Sequence, residues 1–310
     1  MTDRILRTLT RAAPSVAPTI AEASRRLVLR RMAARRRVCF ALMLAVALPI
    51  LASAQTRPAP PPIMLRAAPD RPGWSVDART GCWVWNSDPR LNDSVSWTGA
   101  CSPEGRATGR GVEEWRDGDR VSRYEGEVQD GRAQGRGVYV FANGDMYWGE
   151  FRDDRRHGRG VFEWANGDRY QGEFRENKRD GRGVFTNTGG SRYDGEWRDG
   201  EQNGVGILTY SDGGRYEGEW RNGEKHGRGT QIWPDGTRYT GDWREDARSG
   251  RGVQIWADGT RYEGEWRAGR PDGFGVARIN GIAIAGTWTE GCFHEDNHRA
   301  TIERNPSECP

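Results

Sequence analysis

The 310 residues are 35% apolar and 29% charged, with a mean hydropathy of −0.87, which excludes a thick-cored globule of this length. The 43 glycines and 14 tryptophans point instead to many tight turns joining short strands around a thin aromatic core. The formal charge of +3 misleads: residues 1–54 carry +8 and leave −5 on residues 55–310, so a basic nucleic-acid-binding chain is excluded as well.

Arg35, Arg36 and Arg37 precede the apolar run Val38–Leu51, which ends in Ala52-Ser53-Ala54 before Gln55. That order of charged, apolar and small residues predicts an export signal over 1–54, cut between Ala54 and Gln55, with Met32 as a second candidate start. The apolar run is shorter than the ~20 residues a spanning helix needs. The mature chain is then expected in the periplasm or outside the cell, and inner-membrane anchored if no cut is made. Residues 55–73 are rich in proline and predict an extended tether. From Trp74 the composition changes, and Trp83, Trp85 and Trp97 with Cys82 and Cys101 suggest an N-terminal cap over 74–123.

From Tyr124 the sequence is periodic. Tyr147, Tyr170, Tyr193, Tyr216, Tyr239 and Tyr262 follow at intervals of 23 residues without an insertion. A glycine comes two positions after each. Phe151, Phe174, Trp197, Trp220, Trp243 and Trp266 come four after, with Val128 the exception in the first unit. Alternation in Tyr-x-Gly-x-Trp puts Tyr, Gly and Trp on one face of a strand. A Gly-x-Gly pair follows, then a second β-prone run, then Asn143-Gly144, Asn166-Gly167, Asp212-Gly213, Asp235-Gly236 or Asp258-Gly259. Asn-Gly and Asp-Gly predict two-residue type I′ hairpins. The expected fold is all-β: an elongated single-layer antiparallel β-meander, a solenoid of 23-residue hairpin repeats.

This pattern resembles the MORN (membrane occupation and recognition nexus) repeat, with seven units over 124–284. A degenerate unit precedes them (Trp97-Thr98-Gly99, then Gly109-Arg110-Gly111) and a half unit with a C-terminal cap follows at 285–310. The resemblance implies a scaffold or interaction module, linked to membranes in some members. Where such repeats occur in enzymes, a separate kinase or methyltransferase domain does the chemistry.

After cleavage four cysteines remain, Cys82, Cys101, Cys292 and Cys309, which in an oxidising compartment allow three pairings. Loop closure favours Cys82–Cys101 and Cys292–Cys309, one bridge at each end of the array. His294-Glu295-Asp296-Asn297-His298 spells the H-E-x-x-H zinc motif, but its poor helix formers and missing apolar face predict a solvated tail. His157 and His226 sit three repeats apart and are expected in turns, as are the Gly-x-Gly pairs. Glu127, Glu150, Glu173, Glu196, Glu219, Asp242 and Glu265 form one charged ladder; Arg152, Arg175, Arg198, Arg221, Arg244 and Arg267 form another, and Arg169, Arg192, Arg215, Arg238 and Arg261 a third. Cross-strand pairing on a solvated face accounts for them.

The sequence thus predicts an exported scaffold with no catalytic residue, cofactor or metal. Its expected partner is a protein, met along Tyr147, Phe151, Tyr170, Phe174, Tyr193, Trp197, Tyr216, Trp220, Tyr239, Trp243, Tyr262 and Trp266. The alternative is an anionic lipid or envelope glycan bound through the arginine and aromatic stripes, with a metal-dependent enzyme as a remote third. Sheet edges are compatible with a homodimer.

Overall fold

Strict period-2 alternation, punctuated by glycines every few residues, makes two antiparallel strands of every repeat. The computed structural model describes residues 73–87, 93–295, 298–303, 307 and 309. All of them lie in the second of two units, Pro62–Pro310. The export signal with its Ala54–Gln55 junction, and the tether up to residue 72, lie outside the described residues.

The Tyr strands (Met146–Arg152, Arg169–Arg175, Arg192–Arg198, Arg215–Arg221, Arg238–Arg244, Arg261–Arg267) alternate with the Gly-x-Gly strands (Arg155–Glu163, Lys178–Thr186, Glu201–Thr209, Glu224–Ile232, Ala247–Ile255, Arg270–Ile279). Each pairs antiparallel with both sequence neighbours, so that Tyr170 faces Phe162 on one side and Phe185 on the other. The ladder runs from Ser94–Trp97, through Ala107–Asp117, to Cys292–Glu295 and His298–Thr301. Among the described residues no register pairs its two ends, and the sheet is an open single-layer meander. Trp74–Val76 and Trp83–Trp85 form a separate two-stranded sheet.

The Asn-Gly and Asp-Gly turns do not take the two-residue mirror-image form expected of them; the opposite row does. Asn166-Gly167 belongs to a three-residue loop closed by Trp164 N–H to Asp168 O (3.0 Å) and Gly167 N–H to Trp164 O (2.8 Å). Only Gly167 takes positive φ (92°), while the Asn166 side chain accepts from Asp168 N–H at 3.0 Å. Three residues between the closing pair are one too many for a type I′ turn and suit a type I turn ending in a left-handed glycine. The two-residue mirror-image turns lie on the opposite edge, as at Glu176 (φ 49°)-Asn177 (φ 69°), between the closing pair Arg175 and Lys178.

Each tyrosine ring lies flat over a cross-strand glycine pair. Gly172 faces Gly183, and a Cβ added to Gly183 would come within 2.2 Å of Tyr170 Oη. The phenol donates to Glu173 O at 3.0 Å, and the Trp197 indole N–H donates to Gly183 O at 3.0 Å. The second glycine of each Gly-x-Gly is therefore the seat of a ring, not turn chemistry as the sequence suggested. Tyr170 is flanked edge-on by Phe174 (5.1 Å) and Trp197 (5.3 Å), and the alternation continues to Tyr262 and Trp288. One continuous aromatic file is the core.

The cysteines pair locally. Cys82–Cys101 and Cys292–Cys309 have Cα separations of 5.5 and 5.7 Å, one bridge at each end of the array. Beside the first, Asp77 is buried and accepts from Thr80 Oγ1 (2.6 Å), Arg79 N–H (3.0 Å) and Trp97 N–H (3.3 Å).

Candidate functional face

The twelve rings predicted as a binding surface occupy one face, but they are only 0–7% exposed and form the core itself. Edge-on stacking leaves little ring surface exposed, because each Tyr is flanked by two aromatic neighbours, as Tyr193 is by Trp197 and Trp220. Beside the Tyr core of that face lie side chains of the Gly-x-Gly strands and of the loops after them, from buried Phe162 to partly buried Phe185 and Leu208. Phe162 and Phe185 stand opposite Tyr170, and Leu208 opposite Tyr193 and Tyr216. Outside them runs a second, partly buried row: Phe141, Trp164, Tyr210, Trp233 and Trp256, again at multiples of 23.

A third row went unnoticed in the sequence. Arg156, Arg179, Lys225 and Arg248 occupy one repeat position, which Gln202 fills in between. Their heads lie on the aromatic face: Arg156 over Phe162 at 4.7 Å, Arg179 over Trp197 at 4.1 Å, Lys225 over Trp243 at 5.0 Å and Arg248 over Trp266 at 4.5 Å. Three guanidiniums are also pinned to the backbone of the following turn: Arg156 to Asn177 O at 2.8 Å, Arg179 to Gly200 O and Arg248 to Gly269 O. Burial opposes the charge and lowers the pKa of Arg156, Arg179 and Lys225. The 23-residue spacing of these cations was the signal available, masked by the two more populous arginine ladders.

The ladder through Arg192, Arg215 and Arg261 is paired along its own strands. Arg192–Asp194 (2.6 Å), Arg215–Glu217 (2.8 Å) and Arg261–Glu263 (2.5 Å) are pairs within a strand on the opposite, solvated face. The acidic ladder caps the bulge after each Tyr-x-Gly: Glu219 and Asp242 accept from Arg228 N–H and Arg251 N–H, both at 2.9 Å. Gly227 and Gly250, with positive φ, leave room for those carboxylates. His157 and His226 lie in strands beside this bulge, not in turns, paired with Glu150 and Glu219. His294 and Glu295 lie on one strand of a hairpin and His298 on the other, with Glu295 opposite His298. The H-E-x-x-H string therefore lacks the helical face on which that motif depends. Among the described residues no group of three or more His, Cys, Asp or Glu could hold a metal ion, and no helix is long and apolar enough to cross a membrane.

At the N-terminal end the same face turns acidic. Glu113 takes the place that Phe162 and Phe185 hold elsewhere, opposite Tyr124, and is 4% exposed. Its Oε1 and Oδ2 of nearby Asp154 have no hydrogen-bond partner. Burial, reinforced by the Asp154 charge, pushes Glu113 up to about 8, and burial pushes Asp154 up to about 6. The groove around them is walled by Trp85, Trp115, Tyr139, Phe141 and Phe151.

The MORN repeat family model matches eight times, at residues 104–120, 124–146, 147–169, 170–192, 193–215, 216–238, 239–261 and 262–278. No curated protein matches the chain in sequence. Among solved structures, the SAS-4 (dCPAP) TCP domain of Drosophila melanogaster, in complex with a proline-rich motif of Ana2 (dSTIL), overlaps 50% of this chain and 85% of its own. The identity is 15% and the TM-score 0.31. A streptogramin B lyase structure overlaps 66% of this chain and 90% of its own at 11% identity and a TM-score of 0.16. Scores that low carry no argument about this molecule.

Proposed function

The chain belongs to the MORN-repeat family, and from that membership and its geometry we propose that it is an exported, non-catalytic scaffold that binds a protein partner along the aromatic face. The supporting observation is the row of partly buried rings, Trp164, Tyr210, Trp233 and Trp256, lying beside cations fixed over the core. Rings and immobilised cations are costly to present to water and favourable to cover. The strictly repeated spacing suits an elongated partner better than a small substrate. Export is supported by the signal-like order of residues 35–55 and by two local disulfides.

The test is co-purification of the full chain from the cells that make it, with and without Trp233→Ala and Trp256→Ala. One stoichiometric protein, lost from the double variant while the fold persists, is the expected result. Recovery of no protein, or of the same protein with both variants, would remove this reading. N-terminal sequencing of the mature chain should give Gln55; a mature chain starting at Met32 or earlier would mean an anchored form.

A further inference from the structure

The cation row has one carboxylate already on it. Glu303, beyond the last strand of the sheet, reaches back across 55 residues to Arg248, with contacts of 2.8 and 2.6 Å, while the Gln254 amide donates to it at 2.9 Å. Arg248 is 15% exposed, so this is a recessed seat and not a loose surface pair. The preceding repeat holds the equivalent cation and amide: Lys225 donates to Gln231 at 2.7 Å, and Gln231 is buried as Gln254 is. Among the described residues no ion pair engages Lys225, Arg156 or Arg179, though each is fixed above an aromatic ring.

We propose that Arg156, Arg179, Lys225 and Arg248 form a ladder of carboxylate seats, and that the partner lays an extended acidic segment along it. This rests on the protein-binding reading of the same face and specifies its chemistry. Glu303 is the chain's own occupant of the last rung. Successive rungs are two strands apart, about 10 Å. A polyproline II-like segment returns to the same side every three residues, roughly 9 Å. An acid at every third position therefore meets consecutive rungs, with the neutral Gln202 leaving one interval unread. The recess argues for a peptide over a membrane surface. The guanidiniums sit over the rings and are tied to the turn carbonyls, where a narrow chain reaches them more readily than a packed layer of headgroups does.

Fluorescence anisotropy of a labelled (Glu-Pro-Pro)5 peptide against the full chain tests this. The expected result is saturable binding, weakened tenfold or more by Gln in place of each Glu, by the Arg156→Gln/Arg179→Gln pair, and by raised salt. Glu303→Gln, which frees Arg248, should tighten binding several-fold. Both variants are to be checked for an unchanged circular dichroism spectrum and unfolding midpoint. Equal binding of the Gln peptide, or indifference to the arginine pair in a folded chain, overturns the ladder. So does retention on phosphatidylglycerol vesicles that the arginine pair abolishes and the Glu peptide does not compete, since the row would then face lipid. A native partner still lost with Trp233→Ala but indifferent to the arginine pair would overturn the ladder and leave the scaffold reading standing.

Discussion

Gly218→Ala is the sharpest probe of how this sheet is packed. A Cβ at Gly218 would lie 2.5 Å from Gly229 Cα, 2.6 Å from Arg228 O and 2.7 Å from Tyr216 Oη. The first two are backbone atoms of the paired strand, so the clash is relieved only by parting two hydrogen-bonded strands. Overpacking of this kind costs about 1–3 kcal/mol. Lifting the Tyr216 ring off the glycine pair also loosens its 3.0 Å bond to Glu219 O, worth roughly 1 kcal/mol. The expected loss is about 2–4 kcal/mol. Gly213→Ala is the control: nothing lies within 4 Å, and only its φ of +90° opposes the change, at roughly 1–2 kcal/mol. Urea unfolding gives both values, and amide exchange locates them, since in a repeat array the damage should centre on the strands around Gly218. A Gly218→Ala chain within 0.5 kcal/mol of the parent, about the span of a neutral surface change, would refute the flat-seat account of the tyrosine core.

Trp220→Ala removes a ring stacked at 5.3 Å on Tyr193 and 5.1 Å on Tyr216, and should cost about 3–5 kcal/mol by denaturant unfolding. The Cys292→Ser/Cys309→Ser pair should remove roughly 3 kcal/mol, read as exchange spreading inward from the C-terminal hairpin while central repeats stay protected. Glu113 gives the chain a pH-dependent weakness. Its folded-state pKa of about 8 lies above the ordinary glutamate value of 4.5, so below about pH 4.5 both states hold the proton and nothing is lost. As pH rises towards 8 the unfolded chain ionises first and folding stability falls, by several kcal/mol in order of magnitude. Asp154, near 6, adds to the same slope at lower pH. Glu113→Gln should therefore be more stable than the parent, and by more at pH 9 than at pH 5; an advantage that shrinks with pH would contradict the assignment.

The repeat was legible because its signals are local and multiplied: one Tyr-x-Gly-x-Trp predicts little, but seven in phase define strands, face and direction of growth. The local disulfides were legible from loop length alone. What escaped depends on details below that resolution. Which of two turn rows takes the mirror-image form is decided by one residue of loop length between Trp164 and Asp168, not by the presence of Asn-Gly. The choice between buried and partly buried rings follows from stacking between neighbouring repeats, which makes core of Tyr216 and Trp220 and leaves Trp233 partly exposed. The Arg156–Arg248 row is regular in sequence, yet only the fold distinguishes it from arginines that lie in solvent-face pairs. Glu113 carries no periodic signal, since it is the irregular cap that puts an acid where other repeats place an apolar or amide side chain.

On the proposed reading one face of the sheet, and not the other, meets a protein. A photo-crosslinking amino acid can be placed at Trp233 on the ring-bearing face or at Glu217, which points outward with its side chain 54% exposed. Irradiation in the producing cells should give a single discrete adduct from position 233 and none from position 217. An adduct from 217 with none from 233, or the same adduct from both, would contradict it.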